Sequence, residues 1–321
     1  MNKDTGWVFI INPVAGNGYA GSCAGKVKEM INKQNIKADI VYTKRKGHAT
    51  EIARDYVQKG FHHILAVGGD GTFSEVIQSL VNAPTVTFGA ISAGTGNDFI
   101  NILGFSDHFT DRDWEILFQE NLMKMDVGQC NDRYFINGMG LGFDAQVACE
   151  NYEAENSRKV KSGSKSKYWW HILKTLVTYK EKEMQLTING ETKYAKTFLN
   201  TIAIGRRLAG GFYLTPDAIA NDGLLDVCII QELAFVGRVK ELLRVIKKAH
   251  THDDVVNYFS TDKILFEFEN EVPAHLDGEL YFNTKFEVSI LPAHLNVIFN
   301  PYGEHFFNGQ FHASSDENEK K

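Results

Sequence analysis

Three short glycine-rich loops carry the chemistry open to this chain. Gly68-Gly69-Asp70-Gly71-Thr72 lies between the apolar run Ile64-Leu65-Ala66-Val67 and the segment Phe73-Ser74-Glu75-Val76-Ile77. A short apolar run bounded by glycine reads as a buried strand, and the segment after it as the start of a helix. Free N–H groups and the positive helix end meet at such a junction and bind phosphate. Asp70 would repel an anion there unless a divalent cation or its waters stood between them. The loop therefore predicts a site for a metal–nucleotide triphosphate. In Gly94-Thr95-Gly96-Asn97-Asp98, the Thr95 hydroxyl can donate to a phosphate, and Asn97 and Asp98 suit helix capping. Asn12-Pro13-Val14-Ala15-Gly16-Asn17-Gly18-Tyr19-Ala20-Gly21 holds a G-x-G-x-x-G after a strand. The acid that a dinucleotide site needs is missing: the second strand ends at Thr43-Lys44-Arg45, with Asp39 at its wrong end. An NADP site using Arg45 is the weaker alternative. A P-loop is set aside, because Gly25-Lys26 is followed by Val27.

The elements that position these loops follow from periodicity. Trp7–Ile11, Ala38–Tyr42, Ile64–Val67 and Val86–Ile91 read as strands. Cys23, Val27, Met30 and Ile31, then Ala49, Ile52, Ala53, Tyr56 and Val57, recur at helical spacing. Strand–helix alternation predicts a covered parallel sheet, with ligands at the carboxyl ends of its strands. The glycine loops all fall at that edge. After Met125-Asp126 the pattern changes. Met184, Leu186 and Ile188 alternate with polar residues into Asn189-Gly190, a hairpin signal. Ile264, Phe266 and Phe268, and then Phe286, Val288 and Ile290, alternate likewise, which predicts an antiparallel sandwich or curled sheet. One helix in this half presents Val236, Val239, Leu242, Leu243 and Ile246 on one face, with Arg238, Lys240, Arg244, Lys247 and Lys248 mostly opposite. Its expected arrangement is an apolar face in the core and a solvated basic face.

The 321 residues predict an α/β domain over 1–125, a β-rich domain over 126–300 and a segment 301–321 whose end, Ala313 to Lys321, is expected to be disordered. With 43% hydrophobic and 23% charged residues the chain has mass for real cores. A net charge of -6 argues against a nucleic-acid partner. The four cysteines are far apart, so neither a zinc site nor a disulfide framework is indicated. No stretch has the length to cross a bilayer, and the polar start does not read as a secretory leader. A cytoplasmic protein that meets lipid from the side is expected.

Taken jointly, Asn12-Pro13-x-x-Gly16, Gly68-Gly69-Asp70-Gly71-Thr72 and Gly94-Thr95-Gly96-Asn97-Asp98-Phe99 resemble the bacterial diacylglycerol-kinase-type lipid kinase family. Sphingosine and ceramide kinases are its relatives, and NAD kinase is a more distant one. Gly47-His48-Ala49, Phe135-Ile136-Asn137-Gly138, Asp222-Gly223-x-Leu225-Asp226 and Asp277-Gly278-Glu279 continue the resemblance in family order.

The resemblance implies a Rossmann-like nucleotide domain and a β-sandwich-like domain, with ATP in the cleft between them. It implies that Asn12, Pro13, Gly16, Gly68, Gly69, Asp70, Gly71, Thr72 and Glu75 line the phosphates, and that Thr43 and Thr95 contact the nucleotide. Asn97 and Asp98 belong to the same binding loop. Asp70 would hold the water network of a catalytic Mg²⁺. A second, structural Mg²⁺ would sit on Asp222 and the carbonyls of Ile219 and Leu224. Glu279 is the preferred base for the lipid hydroxyl, with Asp70 left as the other candidate. The implied acceptor is a membrane lipid alcohol, foremost diacylglycerol; a soluble acceptor such as NAD, or a non-catalytic nucleotide or lipid sensor, are the alternatives. Read alone, Asp277 with Glu279, and Asp222, are equally well explained as turn residues.

Arg158 to Lys167 carries five basic residues and no acid, and Tyr168-Trp169-Trp170 follows. Cationic side chains and interfacial aromatics suit an anionic membrane surface. A buried aromatic face behind a surface loop is the competing expectation. A homodimer is compatible with the sequence, which does not fix the oligomeric state.

Overall fold

The computed structural model describes residues 6–156 and 165–309. The first part of the chain alternates as its apolar pattern demands. It runs β1 (Trp7–Ile11), α1 (Tyr19–Ser22), α2 (Ala24–Gln34), β2 (Ala38–Tyr42), α3 (His48–Gln58), β3 (His63–Gly68), α4 (Asp70–Leu80), β4 (Thr87–Ser92), α5 (Asp98–Ile102) and α6 (Asp111–Leu117). The four strands are parallel, in spatial order β2-β1-β3-β4. Every residue of β1, β3 and β4 is buried, as strands covered on both faces must be. Val27 and Met30 of α2, and Ala49, Ile52 and Ala53 of α3, are the buried face of each helix.

The second part runs β5 (Leu122–Cys130), β6 (Arg133–Phe135), β7 (Gly138–Gly142), α7 (Phe143–Asn156), α8 (Lys165–Thr178), β8 (Glu183–Ile188), β9 (Glu191–Ala203), β10 (Leu225–Gln231), α9 (Phe235–Ile246), β11 (Val256–Thr261), β12 (Lys263–Leu276) and β13 (Glu279–Ile298). Its strand pairs are antiparallel. Strand β12 pairs β8 with its first half and β7 with its second, after a register shift between Glu267 and Val272. Both β7 and β8 also pair β9, so the sheet curls into a closed ring of four strands. Asn189 and Gly190 have φ of 52° and 82°, the left-handed pair of a tight hairpin between β8 and β9.

No linker separates the halves. The end of β13 pairs parallel with β4 at Asn296–Thr87 and Val297–Phe88 and antiparallel with β5. The division expected at 125/126 thus falls inside β5. The residues after β13 return to the α/β half: Phe306 N–H donates to Ile102 O at 3.1 Å, and Phe306 and Phe307 are buried. Arg158 to Ser164 and the tail from Ala313 lie outside the described residues. Among the described residues no helix is long and apolar enough to cross a membrane.

One expectation holds only in part. Of the apolar face expected in the core, Val239 and Leu242 are half-buried and pack against it, while Val236, Leu243 and Ile246 are exposed, and helix α9 fully buries Arg238, Glu241 and Val245 instead. The cause is Arg238. Its guanidinium donates to Leu233 O, Leu176 O and Tyr179 O at 2.9, 2.9 and 3.0 Å and to both oxygens of Glu181 at 2.7 and 2.8 Å. It also lies over the Phe198 ring. A buried ion pair with its hydrogen bonds satisfied fixes the rotation of the helix, against the amphipathic pattern.

Candidate active site

The loops that follow β1, β3 and β4 meet at the carboxyl edge of the sheet. Asn12 N–H donates to Val67 O at 3.0 Å, its amide donates to Thr72 Oγ1 at 3.0 Å, and Ala93 N–H donates to Gly68 O at 2.6 Å. The glycines permit this contact. A Cβ on Gly94 would stand 2.5 Å from Gly69 Cα, and one on Gly16, whose φ is 58°, would collide with Ala93 O.

A cleft of about 400 Å³ opens against these loops. Asn12, Pro13, Thr43, Gly69, Gly71, Thr72 and Glu75 line it, and Glu279 reaches it from β13. Gly71 is the near neighbour of that carboxylate: a Cβ there would lie 3.5 Å from Glu279 Oε1. Lys44, Arg45 and Lys46 line the cleft too, and Lys46 forms an ion pair with Glu279. Sequence reasoning used Arg45 only for an NADP reading and passed over the two lysines; their place just past Thr43, at the carboxyl end of β2, was the available signal.

Of the other expected residues, Asp70, Asn97 and Asp98 do not line the cleft and have their polar groups engaged. Asp70 is half-buried; its Oδ1 accepts from Phe99 N–H at 2.9 Å and its Oδ2 from Asp98 N–H at 3.2 Å. It thereby caps α5 across 28 residues. Asn97 Oδ1 accepts from Gly94 N–H, and its amide donates to Gly94 O and Asp107 O, so this side chain staples its own loop. Glu75 lines the cleft but accepts from Gly47 N–H at 2.7 Å and Ala49 N–H at 3.1 Å, which caps α3. Gly16 and Gly68 serve the loop contacts. Thr95 is exposed at its loop tip.

Behind the loops lies a cluster of acids. Asp98 Oδ1 accepts from Arg207 Nε at 2.8 Å and its Oδ2 from Gly210 N–H at 2.7 Å. Asp277, with φ of 48°, accepts from the N–H groups of Ile136, Asn137 and Gly138 at 2.9 to 3.0 Å. Burial pushes Asp98 up to about 6, helped by the Asp70 charge. Burial likewise holds Asp277 at about 6, partly offset by its three N–H donors. Asp70 is raised by burial, against the N–H groups that favour its charged form. Arg207 is the cation paired to this group. It also donates to Gly96 O at 3.1 Å, which ties the third loop to the β-rich half. Sequence reasoning missed Arg207: it sits in an irregular segment 109 residues from Asp98, with no motif around it.

Asp222 is not among the residues that line the cleft. Its Oδ1 accepts from Leu224 N–H at 3.0 Å within one turn, and Ile219 precedes that turn. Asp126 anchors the turn by accepting from Gly223 N–H at 2.7 Å and Ala293 N–H at 2.6 Å. Among the described residues, no group of three or more His, Cys, Asp and Glu is arranged to hold a metal ion.

Residues 6–130 match the family described as diacylglycerol kinase catalytic domain, and residues 137–299 match the family described as YegS C-terminal NAD kinase beta sandwich-like domain. The chain is 24% identical over 293 residues to the diacylglycerol kinase of Bacillus subtilis (strain 168), covering 90% of this chain and 95% of the relative. It is 26% identical over 292 residues to the protein named "Probable lipid kinase YegS-like" of Chromohalobacter salexigens, covering 90% and 91%. A crystal structure of a diacylglycerol kinase from Bacillus anthracis str. Sterne shares the fold, with a TM-score of 0.76 at 24% identity over 92% of this chain and 98% of that one.

Proposed function

The chain belongs to the diacylglycerol kinase and YegS family of lipid kinases, and on that premise we propose that it transfers the γ-phosphoryl group of ATP to the hydroxyl of a membrane lipid, with diacylglycerol as acceptor and phosphatidic acid as product. The observation that carries the proposal is the meeting of three loops with Glu279 across one cleft, because phosphoryl transfer asks mainly for positioning and charge neutralisation. Backbone N–H groups of the loops and the side chains of Lys44, Arg45 and Lys46 would hold the triphosphate.

Glu279 is the better candidate for the base. It lines the cleft beside Gly71, and its side chain is 35% exposed. Asp70 is not among the residues lining the cleft, and both its oxygens are engaged by α5. Glu279 would accept the proton of the lipid hydroxyl as the oxygen attacks phosphorus. Lys46, paired with Glu279, would pass to the phosphates as they enter.

Asp70, Asp98 and Asp277 gather three carboxylates, of which Asp98 is paired to the guanidinium of Arg207. That excess of buried negative charge fits a divalent cation beside a triphosphate, with Asp70 as the residue that would hold it through water. A bound Mg²⁺ would supply neutralisation of phosphate charge. Asp222, with the Ile219 and Leu224 carbonyls, is a hard-oxygen donor set that suits a second, water-rich Mg²⁺. Burial also holds Asp226 up at about 6, aided by Asp222 and Asp217, so a cation there would relieve repulsion.

The test is labelled phosphate transfer from ATP to a panel of lipids in mixed micelles, with NAD alongside. Glu279→Gln is expected to lower kcat by two to four orders of magnitude, on the order of a general-base contribution, while ATP affinity stays near wild type. Turnover of NAD without lipid, or Glu279→Gln at full rate beside a dead Asp70→Asn, would refute the acceptor class or the base.

A further inference from the structure

We propose that the exposed apolar sides of α8 and α9 are the surface by which this protein docks onto an anionic bilayer. Along α9, Phe235, Val236, Leu243 and Ile246 share one side and are exposed, Val236 at 78%. Val239 lies between them, half-buried against the core, and Lys240, Arg244 and Lys247 border the stripe within the same shallow groove, three cations of which Lys240 and Arg244 share the carboxylate of Asp253. Along α8, Trp170, Leu173 and Val177 repeat at helical spacing and are 65%, 52% and 66% exposed. The helices pack together, since Arg238 donates to the α8 carbonyl of Leu176. Two neighbouring helices thus turn large apolar residues outward, where isolated ones would call for no explanation.

The arrangement is held in place. Arg238 and Glu181 lock α9 from its charged side, so the apolar stripe cannot roll inward. A helix with an exposed apolar stripe bordered by lysine suits the plane between headgroups and acyl chains. Trp170 is a residue type that favours that zone. Charge selects the bilayer over a second copy of the chain. In a twofold contact, α9 would meet α9 and bring Lys240 and Lys247 against their equivalents, whereas an anionic surface attracts both.

The inference rests on the lipid-acceptor reading only for its purpose, and the test needs no turnover. The full chain is sedimented with sucrose-loaded vesicles of phosphatidylcholine, with and without phosphatidylglycerol. Wild type should bind the anionic vesicles more tightly, with a blue shift of tryptophan emission. Val236→Ser combined with Leu243→Ser should weaken binding to both vesicles at least about ten-fold. Lys240→Gln combined with Lys247→Gln should weaken binding to the anionic vesicles about thirty-fold, at about 1 kcal/mol per lysine, and leave phosphatidylcholine binding alone. Both pairs are exposed, so Tm and ATP affinity should hold. Wild-type binding by both variants would overturn the inference. So would a wild-type dimer in light scattering that Val236→Ser with Leu243→Ser converts to monomer, since the stripe would then belong to a second copy. Docking without lipid turnover would refute the kinase reading and leave this surface standing.

Discussion

Arg207 is the tie whose loss should do most damage per atom. Its guanidinium is 13% exposed and contacts Asp98, Asp107, Gly96 O and Asn101. Arg207→Gln removes the positive charge and leaves Asp98, Asp70 and Asp277 facing one another. Breaking a buried pair by deleting one partner costs about 3–5 kcal/mol, and the partly exposed Asp107 arm places this case near the low end, at about 3. For domains of this size that corresponds to a fall in Tm of about 6–12 °C. The change should be partly reversed in Arg207→Gln with Asp98→Asn, because the second substitution removes the stranded charge. The coupling between the two should be at least about 1 kcal/mol. Differential scanning calorimetry of the four proteins, at one pH and salt, measures it. A Tm for Arg207→Gln within a degree of wild type, or strictly additive effects, would refute the claim that this ion pair joins the halves.

Gly94→Ala should drive the second and third loops apart and weaken ATP binding at least about ten-fold by calorimetry, whereas Gly71→Ala meets only an ordinary contact at 3.5 Å and should still fold normally. Glu75→Leu should lower Tm by about 2–6 °C, since the N–H groups of Gly47 and Ala49 lose their acceptor. The pH dependence has a definite sign. Asp98 and Asp277 sit at about 6 when folded, above the ordinary 3.8. The folded state therefore binds their protons more tightly than the unfolded chain does. Their unfavourable contribution is absent below about pH 4 and grows as pH rises through about 6. A cation relieves it, so Mg²⁺ should raise Tm more at about pH 7.5 than at about pH 5, and equal shifts at both would count against a cation among these carboxylates.

Periodicity carried far in the α/β half because burial there is two-sided. Ile64–Val67 lies within β3, and the stripes of α2 and α3 are the faces they bury. The glycines at the strand ends were legible for the same reason, since a parallel sheet delivers its loops to one edge. Residue type alone did not tell ligand from scaffold. Glu75, Asn97 and Asp98 are expected beside the nucleotide, and in the structure Glu75 and Asn97 also hold backbone groups while Asp98 holds Arg207 and the Gly210 N–H.

What the amino-acid order determined by itself was local: strand or helix, turn or run, and which loops stand at the edge of the sheet. What tertiary structure alone decided was long-range and electrostatic. Arg207 found Asp98 across 109 residues, and Glu279 came to face Gly71. Arg238 set the rotation of α9 so that Val236, Leu243 and Ile246 stay exposed, because satisfying one buried guanidinium outweighed burying the whole apolar stripe. Periodicity registers apolar burial that repeats along a helix or strand, and it does not register a single charge whose partners lie far away in the chain.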